Sequence, residues 1–190
     1  MHTGPACCCR IRKENRVRAR NPLCLFVLLF AVPVFAQPDV YQFKELQRFL
    51  PEQDYENYSR GKPTGETSSM MGFSTSWAQV IYRLSTDTSK SSISIKITDM
   101  VSIPSYMNIT GDVDKETGTG YEKTVVYKDI RILETFDSVS RLGKLQLPVA
   151  NRFLLEISGT GLESTKPLFD ILGKTDIEGL IRLANPAGSP

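Results

Sequence analysis

The sequence predicts an α+β fold, an antiparallel sheet of about five strands with N- and C-terminal helices packed on it. Three observations predict it. Between residues 78 and 98, apolar side chains recur at every second position, the period of a half-buried hairpin. Three more segments of strand character follow between residues 124 and 158, joined by links short enough to favour antiparallel pairing. Helical spacing appears near the two ends, over residues 43–50 and 168–183.

In chain order, residues 1–36 read as a signal peptide. Arg10, Arg12, Lys13, Arg16, Arg18 and Arg20 precede an apolar run from Leu23 to Phe35. Val34 and Ala36 supply small residues at the −3 and −1 positions, placing cleavage after Ala36. The run is about 13 residues, against about 20 for a spanning helix, so a cleaved leader is expected rather than an anchor. The expected location is periplasmic or secreted, with residues 37–190 as one domain and no membrane span in it.

Within that domain, Asp39 and Gln42 suggest a capping box, followed by Phe43, Leu46, Phe49 and Leu50 at helical spacing and by Pro51 as a stop. Residues 52–73 are turn-rich and predict a loop with one short strand. The hairpin follows, with Ala78, Val80, Tyr82 and then Ile93, Ile95, Ile97 on its inward face. Residues 104–120, with Pro104, Gly111, Gly118 and Gly120, predict a long loop; loops of this length are functional or disordered. Thr124–Phe136 reads as one strand broken near Asp129. Lys144–Val149 reads as a strand that Pro148 confines to an edge or a bulge, and Arg152–Ser158 as the last strand. Ser164 and Pro167 open a helix that buries Leu168, Ile171 and Leu172; a second helical turn spans 176–183, and 184–190 form a flexible tail.

Composition narrows the chemistry. His2, Cys7, Cys8, Cys9 and Cys24 are all the histidine and cysteine in the chain, and all precede residue 37. The domain therefore lacks the imidazole and thiol that Ser–His–Asp, Cys–His and most zinc sites require. Of 23 Lys/Arg and 21 Asp/Glu, the leader holds six and one, so residues 37–190 carry 17 and 20, a net charge of about −3. With basic residues scattered singly, no nucleic-acid footprint remains.

The surviving candidates are acidic. Asp112, Asp114 and Glu116 alternate in a loop and form a weak calcium candidate, short of the oxygens calcium needs. Asp99, Glu134 and Glu156 are candidates for a carboxylate acid–base pair if two share a cleft, although an Arg152–Glu156 surface ion pair is the commoner explanation of the last. Tyr41, Tyr55, Tyr58, Phe73, Trp77 and Tyr106, with Met70 and Met71, would form a peptide or glycan surface if exposed together; core packing is the competing reading. No catalytic residue and no cofactor is assigned.

The stretch Arg152-Phe153-Leu154-Leu155-Glu156-Ile157-Ser158-Gly159-Thr160-Gly161 resembles a signature of exported bacterial proteins of unassigned function, in which such a strand precedes the last helix. Ser76-Trp77-Ala78, Ile95-Lys96-Ile97-Thr98-Asp99 and Gly120-Tyr121-Glu122-Lys123 occupy similar places. The expected fold is similar to PsbP/Mog1-like α+β sandwiches. That resemblance implies a binding or assembly module rather than an enzyme. The function expected is thus an exported, non-enzymatic module of the bacterial envelope with an unknown protein or peptide partner. The expected surfaces are the 104–120 loop and Met70–Phe73. The alternatives are a carboxylate-dependent hydrolase and a calcium-binding adhesion domain.

Overall fold

The computed structural model describes residues 40–70, 73–87, 91–101, 103–104 and 111–186. The leader, Asp39, most of the proposed flexible tail and residues 105–110 of the long connection lie outside the described residues.

The architecture corrects the expected one. Among the described residues the sheet has nine strands, all paired antiparallel, and the helices are three and short. The strands are β1 (Tyr58–Arg60), β2 (Thr64–Met70), β3 (Phe73–Leu84), β4 (Ser92–Asp99), β5 (Asp114–Glu116), β6 (Gly120–Tyr127), β7 (Ile130–Asp137), β8 (Leu142–Val149) and β9 (Phe153–Thr160). Their spatial order is β1-β3-β4-β9-β8-β7-β6-β5, with β2 pairing β3 beside β1. The helices are α1 (Phe43–Leu46), continued by a 3₁₀ turn at Gln47–Phe49, then α2 (Lys166–Leu172) and α3 (Ile177–Ala184).

The extra strands have two origins. β1, β2 and β5 carry no apolar alternation, because they lie at the sheet margins with little to bury. The expected single strand 124–136 is two strands, β6 and β7, folded back on each other. Lys128 (φ 47°) and Asp129 (φ 64°) make the two-residue turn, the left-handed pair a tight hairpin requires but without the usual glycine. The long connection likewise contains β5, paired through Asp114↔Lys123 and Glu116↔Tyr121.

Pro148 sits in an internal strand, yet the β7–β8 register stops at Leu133↔Gln146. At Pro148, β8 therefore has a strand neighbour on one side only, which suits a residue without an N–H.

β9 is the centre of the sheet. Ile157 pairs with Ile95 on one side and Leu145 on the other, and all three are fully buried. The side chains of this face pack against Leu46 and Leu50 from the first helical segment and against Leu168, Ile171, Leu172 and Leu180 from the last two. The N-cap of α2 is Thr165 rather than Ser164, with Pro167 in its first turn. α3 is capped by Asp176, whose carboxylate accepts the Gly179 N–H at 2.8 Å. No described helix is long and apolar enough to cross a membrane.

Candidate ligand-binding face

Strand alternation gives the sheet a second face, turned away from the helices. Cross-strand register lines up Gln79, Lys96, Glu156, Gln146 and Leu133 in one row of it. A parallel row runs Ile81, Ser94, Ser158, Lys144, Thr135 and Glu122. Most of these side chains are polar and none is fully buried, so they are free to carry chemistry. They are also linked to one another. Lys144 Nζ and Gln146 Nε2 both reach Glu156 Oε1 at 2.9 Å, Gln79 Nε2 donates to Ser94 Oγ at 2.5 Å, and the Lys96 ammonium sits 5.2 Å from the Trp77 ring centre. Burial alone would raise the pKa of Glu156; the hydrogen bond and charge of Lys144, aided by Gln146, outweigh it and hold the carboxyl below its usual range.

Over β6–β9 this face dips into a recess of about 490 Å³, within the usual size range of ligand sites. Glu122, Thr135, Asp137, Leu142, Lys144 and Ser158 line it. Gly143 and Gly159, which pair directly, also contribute to its surface. Their glycine identity answers to the opposite face. A Cβ on Gly159 would stand 2.6 Å from Leu162 Cδ1, and one on Gly143 would be 3.1 Å from Leu168 Cδ1, so the chain before and within α2 can press close to the sheet.

Asp137 is the best-fixed charge in the recess. Its carboxylate accepts from the Ser140 N–H, the Ser140 hydroxyl and the Thr119 hydroxyl, each at 2.7 Å. The Ser140 N–H, then the two hydroxyls, lower its pKa from 3.8 to about 2. The folded pKa is depressed, so any stabilisation this turn gives is present above about pH 4 and is lost as pH falls toward 2. A carbon-detected NMR titration should place the Asp137 midpoint near 2, and Ser140→Ala should move it upward by removing the hydroxyl donor. A wild-type midpoint at the ordinary 3.8 would contradict the geometry.

The expected site residues scatter. Asp99 and Glu134 both face the helices, on β4 and β7 with β9 and β8 between them. Three strand spacings and a four-residue offset separate them by roughly 20 Å. Glu156 lies on the other face. Asp99, fully buried, accepts from Arg152 Nε at 3.0 Å and Nη2 at 2.9 Å and from the Tyr41 and Val101 N–H groups. Arg152 therefore pairs with Asp99, not Glu156. Glu134 accepts from the Tyr121 and Thr165 hydroxyls, each at 2.6 Å, with Lys123 at 3.5 Å. No two of the three carboxylates share a cleft.

Asp112 is held by Arg131 at 2.5 Å, while Asp114 and Glu116 point from the exposed strand β5. Among the described residues, no group of three acidic side chains could hold a metal ion. The aromatic side chains do not form a common surface. Tyr55 is 4 % exposed and donates to Asp170 at 2.8 Å, Tyr41 lies under the Arg152 guanidinium, and Trp77 lies beside Lys96. Met70 and Phe73 are exposed, paired at the end of the β2–β3 hairpin; Met71 and Tyr106 lie outside the described residues.

Sequence reasoning passed over the recess. Among the described residues of the 104–120 segment only Thr117 reaches it, and Met70 and Phe73 do not. No local signal pointed to it, since Gly143 and Gly159 answer to the helix-covered face and their pairing is visible only in the register. Comparison with protein-family models, with curated proteins and with solved structures finds no match.

Proposed function

We propose that residues 37–190 form an exported, non-enzymatic binding or assembly module of the bacterial cell envelope, which takes a protein or peptide segment on the uncovered face of its sheet. The observation that carries this reading is the recess over β6–β9, where charged, hydroxyl and apolar side chains converge in a volume suited to a ligand. The separation of Asp99, Glu134 and Glu156 also favours binding over carboxylate acid–base chemistry, which needs two such groups at one substrate. The export reading rests on the basic, then apolar, leader that ends in Val34-Phe35-Ala36.

The test compares the tagged full chain with a Ser158→Trp variant. Ser158 is exposed within the recess, so the indole fills it without entering the core. Both proteins are incubated with detergent-solubilised envelope from the native source, and retained proteins are identified by mass spectrometry. The expected result is one specific partner held by the wild type and lost by the variant, with equal melting temperatures. A partner held equally by both, or no specific partner, would overturn the recess as the binding surface.

A further inference from the structure

The sheet ends on two unlike edges. At one, β5 is three residues long and all three are charged: Asp114, Lys115 and Glu116. Short, charged edge strands are the usual protection against strand addition. At the other, β2 runs seven residues, Thr64-Gly65-Glu66-Thr67-Ser68-Ser69-Met70, with one charge, no lysine and no proline. By the same physics that edge is unprotected.

The register shows which groups it offers. Met70 and Phe73 pair directly with two residues between them, the hydrogen-bonded pair of a tight hairpin. Alternation then directs the backbone groups of Thr64, Glu66, Ser68 and Met70 to β3, and those of Gly65, Thr67 and Ser69 outward. Side chains agree with this phase. Thr67 and Ser76 hydroxyls meet at 2.9 Å and Ser69 and Ser74 hydroxyls at 3.0 Å, the close approach of pairs that exchange no backbone bonds. Among the described residues, nothing bonds the outward backbone groups of Gly65, Thr67 and Ser69. α1 contacts both β2 and β3, so it lies over the face and leaves the edge open.

From this we infer that the β2 edge is a homodimer interface, in which β2 of a second copy adds antiparallel about a two-fold axis at Thr67. The spacing is self-complementary. Thr67 meets Thr67 of the second copy, and Gly65 meets its Ser69, so every outward N–H finds an outward carbonyl. On the uncovered face, Glu66 meets Ser68 of the second copy, and the two Glu66 carboxylates are never opposed. Met70 is covered by Thr64 of the second copy, which reduces its present 69 % exposure. A foreign strand would satisfy the backbone equally, but the matched placement of one charge and one glycine favours a second copy.

Sedimentation equilibrium of the purified full chain tests this with three variants. Ser68→Lys places an ammonium opposite Glu66 twice per dimer, and Ser68→Glu places a like charge there. From cross-strand pair energies, the first should tighten and the second weaken dimerisation, each about two- to thirty-fold. Ser69→Pro removes an outward N–H unused in the monomer, so it should abolish the dimer and leave the circular dichroism unchanged. A wild-type chain that stays monomeric up to about 100 µM, far above the Kd of a specific complex, would overturn the inference. So would Ser68→Lys and Ser68→Glu shifting in the same direction, or a Ser69→Pro protein that dimerises like the wild type.

Discussion

Replacing Arg152 with methionine is expected to destabilise the domain by about 3–5 kcal/mol, the usual cost of removing one partner from a buried ion pair. Asp99 is fully buried at the end of β4, and the Arg152 side chain is only 15 % exposed. Two guanidinium hydrogen bonds neutralise the carboxylate, while the same guanidinium lies 4.3 Å from the Tyr41 ring centre. Methionine would keep much of the apolar contact and leave a buried charge with only the Tyr41 and Val101 N–H groups. The Val101 bond also holds a β-branched residue at φ 62°, a conformation it would otherwise avoid. For a domain of this size the change corresponds to roughly 6–20 °C in melting temperature. Arg152→Lys, which keeps the charge and loses the two-pronged geometry, should fall between the two. Adding Asp99→Leu to Arg152→Met should recover part of the loss, but not all, because two backbone donors are then orphaned. A methionine variant that melts within 2 °C of the wild type, well below the shift expected for a domain of this size, would show that the pair contributes little.

Ile157→Ala is the second large effect, expected at about 2–5 kcal/mol, with Ile157→Val at about 0.5–1.5 kcal/mol. Ile157 stands on the central strand between Ile95 and Leu145, with all three side chains at 0 % exposure. A hole there is walled by backbone ladders on both sides, so little of the surroundings can move to fill it. Denaturant unfolding monitored through Trp77, on the opposite face, would read this loss without perturbing its probe. Equal midpoints for the alanine and valine variants would mean that the site relaxes and that the packing argument fails.

Legibility followed burial. The β3–β4 hairpin, the inward face of β9 and the buried face of α2 were readable because one side of each is covered and its sequence must be apolar at a fixed period. β2 and β5 were not, since marginal strands gain their stability from backbone pairing and are indifferent to side-chain polarity. The split between β6 and β7 was missed because Lys128 and Asp129 adopt left-handed conformations without the glycine that usually announces them. The site was less readable still. Arg152 pairs with a residue 53 positions away, and the recess draws on four strands whose side chains meet only through register.

By itself, the sequence determined which chemistry the domain lacks and which stretches must be covered: no imidazole or thiol follows residue 36, and the apolar periods mark the inward face of the central strands. These are properties of composition and local spacing, which every arrangement of the chain would share. Only the tertiary structure decided that three carboxylates stand apart, that Arg152 neutralises Asp99, and that a recess forms on one face and an unprotected strand on one edge. Those depend on which strands become neighbours, and strand order is set by the total burial of the whole chain, which no local pattern records.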